Sequence, residues 1–219
     1  MITPPMMFGC KGARSRNSEK SSGVEKWEDY LTSAAGVEIS PQASNEARRM
    51  GLDVATGRFE DVDYPDGFFD VITMYHVLEH LHDPREALSK AYQLLKRGGL
   101  LVVAVPNFDS LQARIFRQRW YHLDAPRHLY HFTPRTLKIL LHEAGFKVLE
   151  TRWFSVEHDW AGIAGSIHSQ LVPGLLGGVS SMVLKLLRVP MYYALQGSAF
   201  VESWLRRGGT FELYSERGE

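Results

Sequence analysis

The first residue that could do chemistry is a carboxylate at the end of a short apolar segment. Glu38 stands in Gly36-Val37-Glu38-Ile39, just before the Ser40-Pro41 pair. In doubly wound sheets the ligand lies beyond the carboxyl ends of the strands. A carboxylate at such an end can accept hydrogen bonds from both hydroxyls of a ribose, worth about 1.5–3 kcal/mol each for a charged acceptor. The same position also suits a surface glutamate at a strand end. A second group is His76-Val77-Leu78-Glu79-His80, which has the H-x-x-E-H spacing of some zinc sites. That motif needs a long helix and a third ligand. Here it directly follows a buried apolar run, and Pro84 restarts a helix four residues after His80, so no metal is expected. A third group, His122, Asp124, Arg127, His128 and His131, lies between Trp120 and Phe132. These residues either move protons or bond backbone within a long loop.

The elements that must position these groups alternate between strand and helix, as parallel strands with crossover helices do. Strands are expected at Gly36–Ile39, Leu52–Thr56, Phe69–Met74, Leu100–Val105, Lys147–Phe154 and Phe211–Ser215. Ser40 as N-cap and Pro41 at N1 open a helix that Gly51 closes. Asp83, Pro84 and Glu86 open another. Its buried face is Ala87, Leu88, Ala91, Leu94 and Leu95, and Gly98-Gly99 ends it. Thr133-Pro134 starts a third helix, which turns Leu137, Leu140, Leu141 and Ala144 inward and stops at Gly145. The expected fold class is α/β, with a doubly wound, mostly parallel sheet. Residues 1–35 read as an atypical N-terminal arm, 36–155 as the core, 156–208 as a helical insertion or cap, and 209–219 as the last strand.

The 219 residues suffice for one such domain plus an elaboration. Twenty-five basic residues balance 25 acidic ones, so no global field attracts nucleic acid. The single cysteine, Cys10, excludes an internal disulfide framework and fits a reducing compartment. No secretory h-region and no membrane-length apolar run is visible, and a cytoplasmic protein is expected. Residues 161–204 carry Leu171, Val172, Leu175, Leu176, Val183, Leu184, Leu186 and Leu187. Lys185 and Arg188 interrupt them, which suits either a peripheral membrane contact or plain core packing.

The ordered series GVEIS, GRFEDVDYPDGFFDVITMYHVLEHLHDPREAL, LLKRGGLLVVAVPN and HEAGF resembles class I S-adenosylmethionine-dependent methyltransferases. The likeness is to the ubiquinone-biosynthesis-type branch, and WYHLDAPRHLYHFTPRTL is similar to a segment of bacterial members. It covers about Gly36 to Phe154, with a weaker echo at Gly209–Ser215. The resemblance implies a Rossmann-like sheet with an antiparallel last strand, S-adenosyl-L-methionine as cofactor and a small-molecule acceptor, with lipid-linked and glycan-type acceptors among the candidates. Residue by residue, it implies that Glu38 takes the ribose hydroxyls and that Ile39 packs on the adenine. Phe59 and Glu60 would border the adenine ring and its amine, although Arg58 stands where many relatives have Asp. Tyr75 and His76 would lie where methionine and acceptor meet. Asn107, Trp120, Asp124 and Arg127 would face the acceptor under a lid. For a hydroxyl nucleophile, His128, His131 and His76 are the candidate bases.

One stretch departs from the pattern. A glycine turn should follow the first strand and receive the cofactor's carboxylate end at a helix N-terminus. Here the only remnant is Gly9-Cys10-Lys11-Gly12, and Pro4-Pro5 argues against a central strand in Met1–Phe8. The abrupt change near Ala35 reads either as an upstream shift of reading frame or as an alternative arm. Three functions therefore compete: methyl transfer, a non-catalytic or impaired methyltransferase-like binding domain, and a nicotinamide-dependent oxidoreductase, since Glu38 suits an NAD ribose equally well. The run after Glu38 argues against the last. With no glycine turn identified, S-adenosylmethionine is expected to bind weakly.

Overall fold

The computed structural model describes residues 7–11, 33–153, 166, 202 and 204–218. Seven strands form one sheet: β1 (Met7–Lys11), β2 (Ser33–Glu38), β3 (Asp53–Thr56), β4 (Phe69–Tyr75), β5 (Leu95–Pro106), β6 (Phe146–Arg152) and β7 (Thr210–Arg217), in the order β3-β2-β1-β4-β5-β7-β6. Helices α1 (Pro41–Arg49), α2 (Pro84–Leu94), α3 (Leu111–Phe116) and α4 (Pro134–Glu143) alternate with them. This is the doubly wound α/β class. The chain divides into two compact units, one of Met1–Val103, Lys138–Glu150 and Leu213–Glu219, the other of Ala104–Leu137 and Thr151–Glu212. The proposed membrane-contact segment, 161–204, lies almost wholly outside the described residues, and so does the end of the strand expected to reach Phe154. Among the described residues no helix is long and apolar enough to cross a membrane.

Local chemistry explains most boundaries. The Ser40 hydroxyl accepts the Ala43 N–H with Pro41 in the first turn, and Gly51 past the end of α1 takes a left-handed φ of +87°. The Asp83 carboxylate accepts from the N–H groups of Arg85 and Glu86 and starts α2. The inward face of α2, Ala87, Leu88, Ala91 and Leu94, is at most 1% exposed. The helix ends at Leu94, short of the glycine pair, and Leu95 is already the first residue of β5. The carbonyl of Gln93 is met by the Gly67 N–H at 2.9 Å and by Arg217, and Arg217 also reaches the Leu95 carbonyl. Because these tertiary donors satisfy the last turn, the helix need not run on to a glycine cap. Gly99 serves the strand instead: an added Cβ would lie 2.8 Å from the Lys96 carbonyl oxygen.

The largest correction concerns the N-terminal arm. Pro4-Pro5 argued against a central strand in this region, yet Met7–Lys11, which begins just beyond the two prolines, occupies the centre of the sheet. β1 runs antiparallel to both neighbours, with Met7 opposite Val37 and Met74, Cys10 opposite Ala34 and Val71, and Lys11 opposite Ser33. β2 and β4 are therefore parallel to each other, and β3 is parallel to β2 with Glu38 beside Thr56. β7 lies between β5 and β6, inside the sheet as expected for the last strand.

The two N–H groups held by Asp83 make it the principal local determinant of where α2 starts. Asp83→Ala is expected to cost about 0.5–2 kcal/mol. Urea unfolding should show a lower midpoint at unchanged slope.

Candidate functional site

The carboxyl ends of β2, β3 and β4 form one edge of the first unit, and the expected cofactor residues gather there. Glu38 is 2% exposed. Its Oε1 accepts the Ser40 N–H at 2.7 Å, while Oε2 is buried with no hydrogen-bond partner among the described residues. A buried carboxylate oxygen left unmatched costs about 1–3 kcal/mol or more, so it marks a place shaped for a donor. The Glu38 carbonyl accepts from Gly57 N–H at 3.1 Å, which holds the β3 loop against the end of β2. Ile39, the next residue, is 64% exposed. Phe59 is buried in a 3-10 turn, Phe59–Asp61. Arg58 reaches Glu60 at 3.4 Å and Glu86 at 3.9 Å. The arginine found in place of the usual Asp thus shares the Glu60 carboxylate that was assigned to an adenine amine.

Beyond β4, Tyr75 is 42% exposed and His76 takes φ +53°, a left-handed backbone that costs a non-glycine residue about 1–3 kcal/mol. The His76 ring holds this turn through Nδ1, 3.2 Å from Glu79 Oε1. Glu79 is 1% exposed, and its Oε2 has no hydrogen-bond partner among the described residues. No functional role was assigned to Glu79 from the sequence. Its signal there was the i, i+3 spacing to His76, weighed only as part of a metal motif.

The second unit gathers the acceptor candidates. Asp124 adopts φ +35°, and its carbonyl accepts the N–H groups of Arg127 and His128 at 2.8 and 3.0 Å. Its carboxylate takes Arg127 Nη2 at 2.8 Å, which raises the guanidinium pKa above its ordinary value, first through that hydrogen bond and then through the charge. His128 Nδ1 lies 2.8 Å from the His122 carbonyl, and His131 Nε2 lies 3.0 Å from the Leu123 carbonyl. A carbonyl can only accept, so each of these nitrogens carries a proton. Nε2 of His128 and Nδ1 of His131 are then the basic positions when the rings are neutral. Trp120 is 3% exposed, and its indole N–H lacks a hydrogen-bond partner among the described residues. The Asn107 amide is used within the chain: Nδ2 donates to the Gly208 carbonyl at 3.0 Å, and Oδ1 accepts the Asp109 N–H at 3.0 Å. This braces the loop after β5, so contact with an acceptor would require breaking one of those bonds.

A doubly wound sheet with an acidic residue closing its second strand is an arrangement shared with nucleotide-binding α/β proteins. The chain belongs to the methyltransferase-domain family, whose profile matches residues 21–151 and so begins after β1. It is 24% identical over 134 residues to an uncharacterized protein of Methanocaldococcus jannaschii, covering 61% of this chain and 65% of that protein. It is 32% identical over 108 residues to the ubiquinone/menaquinone biosynthesis C-methyltransferase UbiE of Vibrio vulnificus, covering 40% and 41%. Across the curated relatives it matches most strongly, the chain spans between 24% and 65% of their length. A SAM-dependent methyltransferase from Archaeoglobus fulgidus shares the fold, with a TM-score of 0.51 at 21% identity over 82% of this chain and 74% of that one. The family makes this a class I methyltransferase domain, and its implied cofactor is S-adenosylmethionine.

The residues present fit that cofactor in one half only. Glu38 Oε2, the Ile39 face and the Phe59–Glu60 turn suit a ribose and adenine. The amino-acid half should meet a glycine turn leaving the central strand at this edge, and β1 leaves the sheet at the opposite edge.

The partnerless Glu38 oxygen generates a stability prediction. Glu38→Gln keeps an acceptor for the Ser40 N–H and removes the buried charge. The ligand-free variant should be about 1 kcal/mol more stable than the parent in thermal unfolding.

Proposed function

We propose that the chain belongs to an S-adenosylmethionine-dependent enzyme that methylates a small-molecule acceptor, with lipid-linked and glycan-type hydroxyl compounds as the candidate class. The observation that carries this reading is the buried, partnerless Glu38 oxygen at the carboxyl end of β2. It suits a ribose diol of either cofactor class, and the family match supports methyl transfer over nicotinamide chemistry. When bound, the cofactor supplies a sulfonium methyl. The chain's own contribution is to hold the nucleoside through Glu38, Ile39, Phe59 and Glu60, and to offer an imidazole for the acceptor's proton. His128 and His131 are the leading bases because backbone carbonyls already set their tautomers, and His76 is the third. Trp120, Asp124 and Arg127 then frame the acceptor, the indole N–H as donor and the Asp124–Arg127 pair as a fixed charge clamp.

Transfer of a labelled methyl group to a panel of small hydroxyl acceptors tests the proposal. If His128 or His131 is the base, its substitution by Ala should lower kcat about 10²- to 10⁴-fold with little change in acceptor KM. Equal activity of both single variants would remove both from that role. A second reading, a methyltransferase-like domain that binds nucleosides without turnover, is favoured by the direction of β1. No transfer to any acceptor, with nucleoside binding intact, would select it.

We also propose a cytoplasmic protein that touches membranes through 161–204. Flotation with anionic vesicles should carry the chain upward, and a chain wholly left in the soluble fraction would remove that contact.

A further inference from the structure

The strand ladders fix how the chain passes the ligand edge. Met7 lies opposite Val37 and Met74, one residue short of Glu38 and of Tyr75. The chain therefore enters the sheet at the edge that carries the Glu38 carboxylate and runs away from it. It leaves through Lys11, the ladder partner of Ser33. Ser33 and Glu38 are the two ends of a six-residue strand, about 16 Å apart at roughly 3.3 Å per residue.

That direction separates the two halves of the cofactor site. The described part of the Gly9–Gly12 remnant, Gly9 to Lys11, lies within β1 and runs away from the edge that carries Glu38. Gly9 itself is inside the ladder, opposite both Ala35 and Ile72. The amides of a strand paired on both sides bond to its two neighbours, so they are not gathered into an anion-binding turn. The Glu38 carboxylate, in contrast, is buried at the other edge, with one oxygen fixed by Ser40 N–H and the other without a hydrogen-bond partner among the described residues.

We infer that this site recognises the adenosine moiety and is indifferent to the amino-acid tail, so that adenosine and 5′-methylthioadenosine bind as well as S-adenosylmethionine and S-adenosylhomocysteine. This rests on the nucleoside-binding part of the proposed function and specifies its ligand class. In a site with an intact glycine turn, three tail hydrogen bonds would favour the amino-acid-bearing ligands by about 100- to 1,000-fold. Here that discrimination collapses. S-adenosylhomocysteine is the sharper comparison with methylthioadenosine, because neither carries the sulfonium charge.

Calorimetry on the full chain with the four ligands tests this. The expected result is four dissociation constants within about threefold of one another, all weakened at least tenfold by Glu38→Gln. S-adenosylhomocysteine binding more than tenfold tighter than methylthioadenosine would overturn the inference, because it requires a tail anchor. The proposed methyl transfer would stand in that case. Binding of all four that is unaffected by Glu38→Gln would overturn it as well, by placing the ligands elsewhere. No binding of any ligand at millimolar concentration would overturn both the inference and the nucleoside reading beneath it.

Discussion

Strand β1 is hydrogen-bonded on both sides, to β2 through five paired positions and to β4 through four. Everything at the ligand edge depends on that double ladder. β2 and β4 have no direct pairing in the sheet order, so the strand between them sets both their separation and their relative register. A strand can fill this gap in either direction, because the spacing between strands is about 4.7–4.9 Å whichever way the chain runs. The direction of β1 therefore leaves the strand order unchanged and decides which edge each of its ends meets. The sheet tolerates this geometrically, and the consequence falls on the ligand chemistry.

Two buried carboxylates follow strands on either side of that ladder, Glu38 closing β2 and Glu79 beyond β4. Each has one oxygen engaged and one buried oxygen without a hydrogen-bond partner among the described residues. Such groups are costly in a folded chain unless something pays for them. Glu79 is linked to a strained turn, since its other oxygen meets the His76 ring where the backbone is left-handed. Glu38 instead fixes the Ser40 N–H through its other oxygen, with the next residue, Ile39, exposed.

In the second unit, backbone carbonyls do much of the work. They set the protonated nitrogen of His128 and of His131, and the Asp124 carbonyl draws the following N–H groups into a tight turn. The imidazoles are thus oriented by the loop's own main chain. Asn107 fastens the start of this region to Gly208, far along the sequence.

Much of this was legible in the residue order. Ser40-Pro41 and Asp83-Pro84 announced their helices because a capping side chain acts within three residues of itself. The apolar runs at Phe69–Met74 and Leu100–Val105 announced buried strands because burial on both faces leaves little room for polar residues. Glu38 stood out because a carboxylate is rare in that setting. Three features were decided only in three dimensions. The end of α2 at Leu94 depends on Gly67 and Arg217, which are distant in sequence. The tautomers of His128 and His131 depend on which carbonyl each ring meets. The place and direction of Met7–Lys11 depend on the gap between β2 and β4, because five residues flanked by prolines and polar sequence carry no periodicity that distinguishes one strand direction from the other.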